Sequence, residues 1–489
     1  MKRKLSLIMS CLLIFGGALG CSEKNDISKI SVPEFEKSEG IQFVAYAGPT
    51  VENWNGVARN VNTLTDEHFQ KLAEAGFTKV LALYEGASSE IGSDVYDTIE
   101  KKSEKAASDA MRVLELAEKY GLKYYVRDWS FYGLSKITDD EYYKEINTRE
   151  AYERVLSKMF DENNEYIKSP AYCGNFGDDE PSIGQIERIK WQAELFKEYT
   201  EKAGVKNAEM LVNLNPNYVG ESSLGASYRD YVDKYFDELA PLLKYVSFDY
   251  YPLRKDNTKG SLLRTTYLAN LEMLANKCKN TDVELRAFIQ VVGDYTGLRD
   301  MTGIADIRFQ IYTEMAFGVK QITYYEYGNW NDQEDGNFAI LDLSDGTYNW
   351  TYDLAKKVNN EVHKMEDAYL HYDYDGIMCF SSLEDGVVNT NFRSVEHKMT
   401  SHPRIASVEN EQDAIMGAFK DDDGNDAFML VNYTDPYFDL DNKVTVKFND
   451  AKALLMYRFG EKVIVPLNSD GSYTFVLYPG EGRFIIPLK

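Results

Sequence analysis

An α/β architecture is what this sequence predicts: a (β/α)8 barrel over residues 39–368, followed by a small antiparallel β-sandwich over residues 369–489. Three observations predict it. Apolar, strand-like runs begin near Ile41, Thr78, Leu122, Ala171, Met210, Tyr245, Leu285 and Lys320, with helical periodicity between them. Their junctions look alike: Ala75-Gly76-Phe77, Tyr120-Gly121-Leu122, Ala203-Gly204-Val205 and Phe317-Gly318-Val319 each place a glycine where a helix ends and a strand starts. After about residue 368 the helical period stops, and short strands alternate with turns. An open doubly wound sheet is the alternative, but eight such regular units fit a closed barrel better.

In chain order, Lys2, Arg3 and Lys4 precede an apolar run from Leu5 to Leu19. This is the layout of a secretory signal, too short for a membrane span. Gly17-Ala18-Leu19-Gly20-Cys21 follows. It resembles the lipobox of bacterial lipoproteins, with Ala18 where Leu is usual. Residues 1–21 are therefore expected to be a lipoprotein signal with Cys21 lipidated. Residues 22–38 are polar and read as a tether. An exported protein held in the cell envelope, on the outer membrane, is the expectation. In the first helix, Phe69, Leu72 and Ala73 share a face, and Thr65 is its natural cap.

Strand alternation then says which side chains enter the barrel. In Tyr245-Val246-Ser247-Phe248-Asp249-Tyr250-Tyr251, the apolar Val246 and Phe248 face the helices, so Ser247, Asp249 and Tyr251 face inward. Likewise Asn213 and Asn215 point in, with Val212 and Leu214 outward. Arg286 and Gln290 point in on the seventh strand. Tyr46 is the inward residue of the first. On the third, Arg127 or Asp128 reaches the top, followed by Trp129. The eighth strand, with Tyr325, ends at Glu326, whose side is ambiguous, and Trp330 follows. Polar side chains near the carboxyl ends of barrel strands are costly unless bonded, so their recurrence marks a functional pocket.

The fourth strand carries the strongest signal, Gly177-Asp178-Asp179-Glu180-Pro181-Ser182. Three carboxylates stand at a strand end, Pro181 stops the strand, and Ser182 can cap the next helix. Like charges this close shift one another's titration, which is how a general acid is made.

Beyond residue 368, strands at Ala427–Asn432, Val444–Phe448 and Tyr473–Leu477 lie between Gly- and Asp-rich turns. The acidic run 421–426 reads as a hairpin turn rather than a calcium loop, because the Glu that such a loop needs at its far end is missing.

Composition narrows the chemistry. A net charge of -25 repels nucleic acids. The 5 His form no HxH or HExxH and the 5 Cys no CxxC, so neither a zinc site nor a disulfide framework is expected. No GxGxxG sits on a strand–helix turn and no Walker motif occurs. No cofactor and no metal are expected. Carboxylates at a barrel rim, with 36 Tyr in the chain, point to a carbohydrate substrate: rings stack on sugar faces, and two carboxyl groups flank the scissile bond.

The Gly-Asp-Asp-Glu-Pro run at 177–181 resembles the acid/base position of clan A glycoside hydrolases. The stretch from Asp306-Ile307-Arg308-Phe309-Gln310 through Ala316-Phe317-Gly318-Val319 to Tyr324-Tyr325-Glu326-Tyr327 resembles the last helix and strand of family 42-like barrels. Val431-Asn432 and Tyr478-Pro479-Gly480-Glu481-Gly482 are similar to the β-domain after them. With the lipobox, the whole resembles glycan-degrading lipoproteins of the Bacteroidota. The resemblance implies a glycosidase with Glu180 as general acid. Together with strand alternation, the expected sugar-binding residues are Tyr46, Arg127, Trp129, Asp178 and Asn213, with Asn215, Tyr251, Gln290, Tyr325 and Trp330. The chain departs from that pattern at strand seven, where Phe288-Ile289-Gln290-Val291-Val292-Gly293-Asp294 lacks the nucleophilic Glu. Asp249 or Glu326 would then be the second carboxylate. Alternatively, as in hexosaminidase-type barrels, Asp179 would orient the substrate's acetamide, with Tyr251 or Tyr250 bonding the intermediate. A surface glycan-binding lipoprotein without catalysis is the alternative of a different class.

Overall fold

The computed structural model describes residues 30–50, 61–81, 108, 110–128, 131, 132, 134, 148–161, 164–293, 297–329, 339–384, 387 and 389–489. Cys21, Trp129, Asp294 and Trp330 lie outside the described residues.

Eight parallel strands close into a barrel: β1 (Gln42–Tyr46), β2 (Lys79–Leu81), β3 (Lys123–Val126), β4 (Tyr172–Asp179), β5 (Glu209–Leu214), β6 (Tyr245–Asp249), β7 (Glu284–Gln290) and β8 (Gln321–Tyr325). Each falls on one of the eight predicted runs. The main helices between and after them are α1 (Asp66–Glu74), a segment over 110–119, α2 (Arg149–Met159), α3 (Ile186–Ala203), α4 (Tyr228–Glu238), α5 (Tyr267–Cys278), α6 (Ile304–Met315) and α7 (Thr351–His363). The Thr65 side chain accepts from His68 N as the cap of α1. Gly76, Gly121, Gly204 and Gly318 all adopt left-handed φ, from +67° to +83°, which a glycine takes without steric cost.

β4 breaks the simple alternation. Its pairing with β3 skips Cys173, and its pairing with β5 skips Gly177. Each skipped residue is a bulge that resets the phase of the residues after it. The interior apolar cluster takes Cys173 and Phe176 from this strand, together with Val44, Tyr46, Leu81, Tyr125, Leu211, Tyr245 and Phe288. Asp179 continues that inward series beside Asn213, whereas Asp178 lies beside Val212 and faces the helices. Gly174 makes the first irregularity possible: a Cβ there would sit 1.8 Å from the Glu209 carbonyl oxygen.

The barrel floor is charged and paired. Arg286 and Lys79 meet Glu209, and Tyr125 donates to Glu209 at 3.1 Å. Burial acts to raise the Glu209 carboxyl, but the two cations outweigh it and hold it down at about 2.

A hairpin of Leu253–Asp256 and Gly260–Leu263 follows β6 at the mouth. The carboxyl-terminal domain sets a six-stranded antiparallel sheet beside a three-stranded one. Their apolar faces meet through Met416, Phe428, Leu430, Val446 and Phe475. The 421–426 run is the hairpin turn expected: Asp421 accepts from Asn425 N at 2.7 Å and from its Nδ2 at 2.8 Å. The sheet docks on α6, with Gly417 against the Ala316 carbonyl and Gly480 against that of Ala305. Barrel on one side and sheet on the other bury α6 from Asp306 to Met315.

Gly174→Ala is expected to cost about 3 kcal/mol or more, because backbone has to move to admit the methyl group. Denaturant unfolding checks this; a midpoint equal to wild type would contradict the role of that close approach.

Candidate active site

The fourth, fifth and sixth strands build the centre of the mouth. Their register aligns Asp179 with Asn213, and Asn213 with Ser247. The Ser247 hydroxyl donates to Asn213 Oδ1 at 2.9 Å, which turns the amide nitrogen toward the carboxylates. Asn213 Nδ2 then donates to Asp249 Oδ1 at 3.0 Å and to Asp179 Oδ1 at 3.3 Å. One amide thus bridges acids from two strands.

Asp249 is 5 % exposed. Burial first, then the charges of Glu180 and Asp179, push its carboxyl well above the usual range, against the opposing Asn213 hydrogen bond. Its carboxyl therefore keeps its proton to higher pH than an ordinary carboxylate. Glu180 is exposed at the rim. Its φ is +52°, a left-handed conformation that is uncommon and costly for a residue with a side chain. Two contacts hold this corner: Glu180 N donates to the Asn213 carbonyl at 2.8 Å, and Asn215 Nδ2 donates to the Pro181 carbonyl at 3.2 Å. Ser182 N donates to Gln185 Oε1 at 2.8 Å in the capping box that opens the next helix.

Aromatic rings line the mouth. Tyr325 lies 5.1 Å from Tyr251 and 5.5 Å from Tyr46 between ring centroids, and Tyr46 meets Phe176 edge-on at 6.5 Å. The Arg127 guanidinium sits 3.6 Å over Tyr132 and 5.5 Å from Phe176. Burial, then the Asp179 charge, raise the Tyr46 phenol, which stays protonated as a donor. Glu326 is 1 % exposed, at the end of β8, and joined to Tyr325 by a cis peptide bond.

The structure therefore brings together Tyr46, Arg127, Asp179, Glu180, Asn213, Asp249, Tyr251 and Tyr325. Three expectations need correction. Asp178 is 0 % exposed and acts on Tyr152 and Tyr231 under the helix layer, because the bulge turns it away from the lumen. Gln290 is spent on backbone: Oε1 accepts from Leu253 N at 3.0 Å, and Nε2 donates to the carbonyls of Leu253 and Arg299. It ties the hairpin to the loop after β7. Asn215 braces the Glu180 corner through Pro181 rather than facing the lumen.

Sequence reasoning missed Tyr132, Tyr218 and Arg264. Tyr218 follows β5, is 36 % exposed, and has Arg264 stacked 3.7 Å from its ring centroid. Burial raises its phenol first, and the Asp249 charge next. The run Asn215-Pro216-Asn217-Tyr218 was the available signal, an aromatic in the loop that leaves an acid-facing strand. Among the described residues no cluster of three or more His, Cys, Asp or Glu is placed to hold a metal ion.

No family model matches the chain, and no curated protein matches it. Solved structures show distant similarity to the chain. The β-galactosidase from the psychrophilic Marinomonas ef1 is 11 % identical with a TM-score of 0.44, over 67 % of this chain and 60 % of that one. The endo-β-1,4-mannanase from Thermotoga petrophila is 10 % identical with a TM-score of 0.42, over 89 % and 98 %. The GH51 arabinofuranosidase from Xanthomonas axonopodis pv. citri is 10 % identical with a TM-score of 0.43, over 92 % and 95 %. The chain spans about three fifths of the length of the β-galactosidase.

The raised Asp249 carboxyl has a signed effect on stability. Its contribution is present in full below the unfolded carboxyl value of about 3.9 and is lost progressively as pH climbs toward the raised folded value. Asp249→Asn should therefore gain melting temperature relative to wild type between pH 4 and pH 7. A constant difference across that range would contradict the shift.

Proposed function

We propose that this chain is a glycosidase whose two acid–base groups are Asp249 and Glu180. One observation carries the reading: a buried carboxyl, Asp249, joined through the Asn213 amide to Asp179 under a rim of aromatic rings. Pairs of acids whose environments push their titration apart divide the roles of proton donor and charged partner. Glycoside cleavage needs both. Asp249 gives its proton to the glycosidic oxygen, and the C1–O bond breaks with its electron pair going to the departing alcohol. The Glu180 carboxylate stabilises the positive charge developing at C1 and then either takes a proton from a water that attacks C1, or bonds to C1 as a glycosyl ester that a second step hydrolyses, water giving its proton to the Asp249 carboxylate and its oxygen to C1 as the Glu180–C1 bond breaks. Tyr46, Tyr251 and Tyr325 offer ring faces and hydroxyls to the sugar.

This exchanges the roles read from the sequence, where Glu180 is the acid. The physical reason is burial: Asp249 is enclosed and Glu180 is at the rim. Of the two acids open for the second role, Asp249 is the one joined to the fourth strand's carboxylates, through the Asn213 amide.

Glycosides with activated phenol leaving groups tell the roles apart, because they depart without a proton. Asp249→Asn should lose about a hundredfold or more in kcat/KM on an alkyl glycoside and much less on a dinitrophenyl glycoside. Glu180→Gln should lose heavily on both. The opposite pattern would return the acid to Glu180. Glycan binding without hydrolysis by the wild type would make the chain a binding protein.

A further inference from the structure

Four buried arginines among the described residues come with carboxylates. Arg286 meets Glu209 and Glu284, Arg299 meets Asp306 at 2.6 Å, Arg308 meets Glu361 at 2.6 Å, and Arg483 meets Glu481 at 2.7 Å. Two half-buried arginines at the mouth differ. Arg254 lies on the first strand of the hairpin after β6, and Arg264 follows its second strand. Among the described residues neither is ion-paired, and Arg264 Nε is buried with no hydrogen-bond partner. The hairpin register pairs Arg254 with Leu262, so Arg264, two residues on, lies on the same face, and burial and then the Arg264 charge lower the Arg254 guanidinium.

Unpaired desolvated guanidinium is costly, and the chain has 79 Asp and Glu against 54 Lys and Arg. Gly297 leaves room for Arg254: a Cβ there would come 2.7 Å from Arg254 Nη2. Arg264 lies flat over Tyr218, the exposed ring whose phenol is within the field of Asp249 and Glu180. A planar fork with open donors, beside a ring on which a sugar can rest, is suited to bidentate capture of a carboxylate or sulfate.

Resting on the glycosidase reading, we propose that Arg254 and Arg264 form an anion subsite beside the catalytic carboxylates, and that the glycan taken there is acidic, bearing a uronate or a sulfate ester. Long-range repulsion from the acidic chain is screened within about 8 Å at physiological salt, inside which the two arginines decide.

The full chain, Arg264→Met, Arg254→Met and Arg264→Lys are to be compared on an array of neutral, uronate-containing and sulfated oligosaccharides. Hydrolysis of the same glycans is followed in parallel. Wild type should bind acidic glycans about tenfold or more above their neutral counterparts, and each Met variant should lose that preference while keeping its neutral binding. Preference for uronates alone, or for sulfates alone, names the group. If Arg264→Met melts early, Arg254→Met, losing the preference, and Arg264→Lys, losing part of it, carry the test. Acidic binding that depends on the arginines without hydrolysis would support the subsite and overturn the glycosidase reading. Hydrolysis of neutral glycans at wild-type rate by all variants, with no acidic preference, would overturn the subsite alone.

Discussion

The phase of β4 decides what this barrel can do. Its inward series runs Cys173, Phe176, Asp179, because the strand slips a residue past each neighbour. Asp179 thereby enters the lumen next to Asn213, Asp178 goes under the helices, and Glu180 is thrown to the rim in a left-handed conformation. A regular strand would put Phe176 and Asp178 on one face and lose the Asp179–Asn213–Asp249 bridge. Glycines meet the geometric demand: Gly174 passes against the Glu209 carbonyl, and Gly177 against Met210.

The two ends of the lumen treat charge in opposite ways. At the floor, Glu209 is surrounded by Arg286 and Lys79 and stays ionised. That layer ties β2, β5 and β7 together. At the mouth, acid faces acid, and two cations stack on rings: Arg127 on Tyr132 and Arg264 on Tyr218. Burial with like charge is destabilising to the fold and favourable to proton transfer. The hairpin after β6, held to the loop after β7 by Gln290, walls this mouth. Ser261 of that hairpin donates to Asp435 at 2.7 Å, so the sandwich domain supports the wall from outside.

Much of this was legible in the sequence. The eight strands and the glycine-ended helices follow from periodicity and from the left-handed turn. Tyr46, Asn213, Asp249 and Tyr251 followed from alternation, because β1, β5 and β6 are regular. Asp178 did not, since a bulge is invisible to a rule of period two. Gln290 kept its place in the strand but spends its amide on a hairpin that periodicity does not reveal. Tyr218, Arg254 and Arg264 sit in loop and hairpin, where no period marks a face and only the closed barrel brings them to the carboxylates.

The most direct test is the protonation of Asp249 in the resting protein. Infrared difference spectra between wild type and Asp249→Asn at neutral pH isolate that one carboxyl. The expected result is a protonated carboxyl band in the wild type, lost in the variant and weakened when Glu180→Gln removes the neighbouring charge. A difference confined to carboxylate bands would mean that Asp249 is ionised at rest and cannot be the proton donor.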